Sequence, residues 1–170
     1  SGNAGTDPAT DFLGTTDFTP LELRANGQRV MRFDPATGLD GPNVIGGWRG
    51  NSVSSGVVGA TIAGGGDPDR VGDPEPNRVT ADYGTVGGGT DNMAGGVRAT
   101  VSGGDANSAG GVQAAIGGGF ANTASGSSAT VAGGLRNAVV FAQGGTIGGG
   151  EWNVVRGRGA TVPGGREKRA

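Results

Sequence analysis

Residues 99–126 read ATVSGGDANSAGGVQAAIGGGFANTASG, and one short pattern occurs in them twice. An aliphatic residue, Val101 or Ile116, is followed closely by two glycines, and an asparagine, Asn107 or Asn122, stands six positions after it. Recurrence at a fixed interval is typical of repeat proteins, whereas flexible linkers scatter their glycines. The recurrence in this stretch therefore decides how the rest of the sequence is interpreted.

The same pattern continues on both sides of this stretch. Its aliphatic positions are separated by 17, 24, 15, 15, 15, 16 and 15 residues, and the interval of 24 contains an insertion. A small or β-branched residue stands two positions after each asparagine. The aliphatic column consists of Ile45, Ile62, Val86, Val101, Ile116, Val131, Ile147 and Val162, and the asparagine column of Asn51, Asn77, Asn92, Asn107, Asn122, Asn137 and Asn153.

A unit of 15 residues is too short for a pair of helices but fits one solenoid coil of two short strands and two turns. The 40 glycines among 170 residues also disfavour helix. Alternation along each strand places the aliphatic column inside and the preceding, threonine-rich column outside. We expect the asparagines at a turn, where an amide side chain tolerates the left-handed conformation and can bond from coil to coil. The sequence thus predicts an all-β, parallel β-roll with coils of about 15 residues.

The interior of such a roll is thin. A buried aliphatic side chain contributes roughly 1.5–3 kcal/mol, while ordering each residue's backbone costs roughly 1–2 kcal/mol. We therefore expect three copies to pack around a common axis and share an interior, so that the protein folds as a homotrimer.

The segments around the repeat divide the chain into four parts. Residues 1–10 are small and polar and are predicted to form a flexible lead. Alternation on both sides of Asn26–Gly27 predicts a β-hairpin within residues 11–42, which serves either as a cap for the roll or as a strand donated to a neighbouring subunit. The repeat domain spans residues 43–165, and residues 166–170 are expected to be a charged, solvated tail.

The insertion at residues 67–76 contains three prolines, which should keep it out of the sheet as an outward loop. Four carboxylates could supply oxygen ligands to Ca²⁺. The alternative is a solvated acidic loop, which we favour because the spacing of a calcium-binding loop is absent. The four candidate ligands are Asp67, Asp69, Asp73 and Glu75.

Composition argues against several classes of function. The sequence contains neither histidine nor cysteine, and no glycine-rich stretch completes a nucleotide-binding motif. A net charge of −2 with dispersed basic residues gives no nucleic-acid footprint. No apolar run approaches 18 residues and no signal-peptide pattern begins at Ser1, so we expect any export signal or anchor to lie outside these residues. We expect no catalysis, no cofactor, no nucleic-acid partner and no membrane insertion by this chain.

Residues 99–109 and 115–126 resemble the head repeats of YadA-like trimeric autotransporter adhesins, and the resemblance covers about residues 43–165. The chain is also similar to glycine-rich fibre proteins of bacteria and phages. This resemblance implies a left-handed, homotrimeric β-roll exposed at a cell surface, with a structural or adhesive function. It also implies self-association, possible end-to-end filaments, and a ligand on a host or matrix surface.

Two questions stay open at the level of sequence. The regular threonine column could instead serve an ice-binding or carbohydrate-binding module, although threonine is common on strand surfaces. The aromatic residues in the turns are either exposed contacts or seals for turns and trimer seams. They are Trp48, Phe120, Phe141 and Trp152.

Overall fold

The computed structural model describes residues 13–36, 40–68 and 73–170, and within these ranges it contains strands and turns but no helix. The predicted all-β class and the parallel solenoid are confirmed, with about eight turns. An antiparallel hairpin, β1 (Leu21–Ala25) and β2 (Gln28–Asp34), precedes the solenoid.

Each coil contributes one strand to each of two parallel sheets. The first sheet continues from the hairpin through β3 (Asn43–Gly46), β5 (Thr61–Ile62), β7 (Thr85–Val86), β9 (Thr100–Val101), β11 (Ala115–Ile116), β13 (Thr130–Val131), β15 (Thr146–Ile147) and β17 (Thr161–Val162). The second sheet consists of β4 (Ser52–Val53), β6 (Arg78–Val79), β8 (Met93–Ala94), β10 (Ser108–Ala109), β12 (Thr123–Ala124), β14 (Ala138–Val139) and β16 (Val154–Val155).

Strands of successive coils pair so that equivalent positions of the sequence repeat lie opposite one another. Val101 pairs with Ile116 in the first sheet, and Ala109 pairs with Ala124 in the second. Equivalent residues therefore stack directly on one another, including across the 24-residue interval, where Ile62 pairs with Val86. The insertion thus changes the length of a turn and leaves the pairing of the flanking strands unchanged.

The interior contains three stacked columns. The predicted aliphatic column is buried throughout, and the small or β-branched column of the second sheet is buried from Val79 to Val155. The third column was not predicted: it consists of alanines two positions before the aliphatic residue, of which Ala99 and Ala129 are fully buried. Glycine takes this place in two coils, at Gly84 and Gly145, where an added Cβ would lie 2.6 and 2.7 Å from the Cγ1 atoms of Val79 and Val139.

This interior is closed within a single chain. Val86, Val101 and Val131 have no exposed surface within the single chain. The reason for a trimer given by the sequence, an interior shared between copies, therefore does not apply to these columns.

The stacking is tight enough to require glycine at the turn after each first-sheet strand. Gly104 has a φ of +91°, and a Cβ there would overlap the carbonyl oxygen of Gly119 in the next coil. Both constraints act at the equivalent glycines from Gly89 to Gly150, since any side chain would be strained in this conformation and would push successive coils apart.

The hairpin has the turn that its sequence predicts, with positive φ at Asn26 and Gly27. Its second strand pairs antiparallel with β3, which places Arg32 opposite Ile45. At the other end, residues 166–170 follow the path of the coils: Arg166 bridges to Glu151 and Arg169 to Val154. Their side chains are exposed.

Candidate interaction surface

The asparagine column lies inside the coils and is nearly inaccessible to solvent. Asn122 donates its side-chain amide to the carbonyls of Gly118 and Gly134, at 3.0 and 2.9 Å, and accepts the backbone N–H of Asn137 at 2.9 Å. The same pattern links the other coils, so the column forms a continuous hydrogen-bonded ladder. Its polar atoms are used within the fold, and the ladder holds the turns in register.

The residue before the asparagine has the left-handed backbone conformation. The sequence had predicted this conformation for the asparagine itself, so that prediction is wrong. Ala106, Ala121 and Arg136 have φ between +51° and +55° and precede Asn107, Asn122 and Asn137. The asparagine is instead held by its buried hydrogen bonds. Because the left-handed residue points outward, its side chain is free to vary between coils.

We call the turns that contain this position the asparagine corner. The constant interior contrasts with the variety displayed there. Along this corner, the left-handed position is occupied in successive coils by an acid, two alanines, an arginine, a tryptophan and an acid, namely Asp91, Ala106, Ala121, Arg136, Trp152 and Glu167. A repeated scaffold thus presents a non-repeating outer edge.

The most distinctive group on this edge is an arginine between two aromatic rings. The Arg136 guanidinium carbon lies 4.7 Å from the ring centroid of Trp152 and 5.9 Å from that of Phe120. Trp152 and Phe120 remain 43% and 42% exposed. Trp152 also has a φ of +57°, a conformation that is unusual for a bulky residue. An exposed cation–π group of this kind offers both flat apolar area and positive charge to a partner.

The turns that lead back to the first sheet form a second outer edge, the return corner. Phe141 is 84% exposed, with a φ of +52°, and lies in the single coil of 16 residues. Tyr83 is stacked by Arg98 at 5.5 Å from the ring centroid. Phe141, Phe120 and Trp152 therefore do not seal turns within the chain, whereas the ring of Trp48 packs over the α-carbon of Gly50.

The threonine column lies on the outer face of the first sheet, as predicted. Thr85 pairs with Thr100, and Thr130 pairs with Thr146, which in turn pairs with Thr161. Ala115 interrupts the column between Thr100 and Thr130. The face is regular and built of small side chains.

The acidic insertion is closed at its base, where Asp67 and Glu75 exchange two backbone hydrogen bonds of 3.1 and 3.0 Å. Asp73 is exposed, and Asp69 lies outside the described residues. Among the residues that the structure describes, no three acidic groups come close enough to share a metal ion.

Within the three described ranges, no helix has the length and apolarity needed to cross a bilayer. The chain matches no family model and no curated protein with significant similarity.

Proposed function

We propose that this chain is a non-enzymatic structural and adhesive segment of an extracellular surface protein or fibre. The observation that carries the proposal is the contrast between an interior of constant columns and outer corners whose side chains change along the solenoid, from acid to alanine, arginine and tryptophan. A solenoid held by the same contacts in each coil is stiff, and its length increases with the number of coils. Such a scaffold presents varied side chains at fixed distances from one another.

The proposed assembly is a left-handed homotrimer. Its support is the exposed apolar surface at the return corner, where Phe141, Val112 and Tyr83 are 84%, 46% and 42% exposed. Lateral packing of three rods would cover this surface without changing the interior. The handedness follows the resemblance of the repeats to YadA-like adhesin heads.

The hairpin is proposed to cap the first coil. Its strand β2 occupies the edge of β3, and Arg29 Nη2 donates to the carbonyls of Arg49 and Asn51, at 2.8 and 3.1 Å. These contacts satisfy backbone groups at the start of both sheets, where an open edge would invite further pairing.

Sedimentation and light scattering of the purified chain test the assembly. The proposal requires a particle with the mass of three 16.4 kDa chains. A stable monomer at micromolar concentration would overturn the trimer. Adhesion is tested by measuring binding of the chain to panels of matrix proteins and glycans, with the same chain carrying Phe120→Ser and Trp152→Ser as the control. Equal binding of both proteins would contradict a role for the corner aromatics.

A second candidate is an ice-binding or carbohydrate-binding module. The in-register pairing of Thr130, Thr146 and Thr161 on one face favours it. Thermal hysteresis and a glycan array, each measured on the wild type and on a Thr130→Val/Thr146→Val variant, separate this candidate from the first. Activity that disappears in the variant would support the threonine face.

A further inference from the structure

Each coil forms hydrogen bonds with the next coil along the chain. Two of these bonds come from fixed positions in the repeat. The residue after the aliphatic position donates its N–H to the next coil, as Ser102 does to Ile116 and Gly148 does to Val162, at 3.0 and 2.9 Å. The asparagine presents its side-chain oxygen to the next coil, as Asn137 does to the N–H of Asn153 at 3.0 Å. Both links recur along the solenoid.

In the coil of residues 161–170 both positions change. Pro163 stands where the preceding coil has Gly148, and proline has no N–H to donate. Lys168 stands where the preceding coil has Asn153, and an ammonium group has no acceptor. Lys168 still pairs with the preceding coil through its backbone. Its N–H donates to Asn153 Oδ1 at 2.9 Å, and its carbonyl accepts the N–H of Val154 at 2.8 Å.

We infer that the coil of residues 161–170 terminates the solenoid. Its end face completes the preceding coil but does not pair with a further coil, whether that coil comes from residues after Ala170 or from a second copy of the chain. The exposed charges of Arg166, Glu167 and Arg169 reinforce this, since charged side chains and proline are common means of blocking sheet edges. Copies therefore associate side by side and do not elongate through this face, which goes beyond the proposed function because it selects among the modes of assembly.

The test asks whether this coil can support another. A second copy of residues 110–124 appended after Ala170 keeps the 15-residue register and supplies every position of one further coil. It is added to the wild type and to a Pro163→Gly/Lys168→Asn variant, which has at both positions the residues of the preceding coil, Gly148 and Asn153. In hydrogen exchange measured by mass spectrometry, a peptide that spans the junction at Ala170 reports on the extension, whose sequence is otherwise that of residues 110–124. Peptides that end before residue 110 report on the native coils.

On the wild type, we expect the extension to exchange at the rate of an unstructured peptide, while residues 85–109 stay protected. On the variant, we expect the extension to slow by at least about a hundredfold, as amides in a paired sheet do. Protection of the extension on the wild type would overturn the inference by itself, whether or not the variant folds. An unprotected extension on a folded variant would overturn the assignment to Pro163 and Lys168.

Discussion

The side-chain oxygen of Asn122 accepts the backbone N–H of Asn137 at 2.9 Å, although the two residues belong to different coils. Both side chains have no exposed surface. The backbone groups of these turns do not pair as they would in a regular sheet. The buried amide supplies their hydrogen bonds instead and joins successive coils. The ladder therefore makes stability cooperative along the solenoid, because the loss of one asparagine leaves polar groups unsatisfied in its own coil and in the next.

Replacement of Asn122 tests the ladder. Asn122→Ala leaves the N–H of Asn137 and the carbonyl of Gly118 without their partner, while the carbonyl of Gly134 keeps the N–H of Phe120. Each buried unsatisfied group costs about 1–3 kcal/mol. We expect the free energy of unfolding to fall by at least about 2 kcal/mol in chemical denaturation. Gln113→Ala, in an exposed turn, is the control and should change it by less than about 0.5 kcal/mol. Equal effects would contradict a structural role for the ladder.

Substitutions at two neighbouring residues test which side chains of a strand face the interior and which face solvent. Val101→Asp places an unpaired carboxylate in the closed interior, whereas Ser102→Asp places it in solvent. We expect the first variant to lose its β-sheet circular dichroism, at a cost above about 4 kcal/mol, and the second to keep it. A folded Val101→Asp protein would refute the assignment of the interior.

Close stacking is tested by two glycines. Gly104→Ala combines a strained φ with overlap against Gly119, and we expect a loss of about 2–4 kcal/mol. Gly110→Ala adds a Cβ that meets nothing within 4 Å and serves as the matched control. Thermal unfolding should separate the two variants by several degrees. Identical melting temperatures would mean that coil spacing is looser than described.

Lateral assembly is tested at the return corner. Phe141→Ser removes a ring that is 84% exposed, so the fold should be unaffected, but the particle mass should fall toward that of one chain. Gln113→Ser is a control at the same corner. A trimer that persists unchanged in Phe141→Ser would exclude this residue from the interface between copies.

Capping is tested by deleting residues 1–40, which removes β1 and β2 and exposes the edge of β3. We expect the shortened chain to scatter more light and to form larger species with time, because an unpaired edge can recruit other strands. A shortened chain that stays monodisperse would contradict the cap.

The sequence by itself determined the architecture, because a backbone that repeats every 15 residues must stack like on like. The inward direction of Val101 and its equivalents, the hairpin at Asn26–Gly27 and the outward threonines all follow from alternation and turn chemistry. These are local properties, since each depends on residues within one or two coils.

Only the tertiary structure decided how the coils close. Burial of Ala99 and Ala129, which completes the interior within one chain, depends on the path of the return corner and not on local periodicity. The left-handed conformation is also found at Ala121 and not at Asn122, where the sequence had predicted it. The asparagine is held by hydrogen bonds to a neighbouring coil, and a local sequence pattern does not reveal such bonds. The contacts of Arg136 with Phe120 and Trp152 arise in the same way, since residues 16 positions apart become neighbours only when the coils stack.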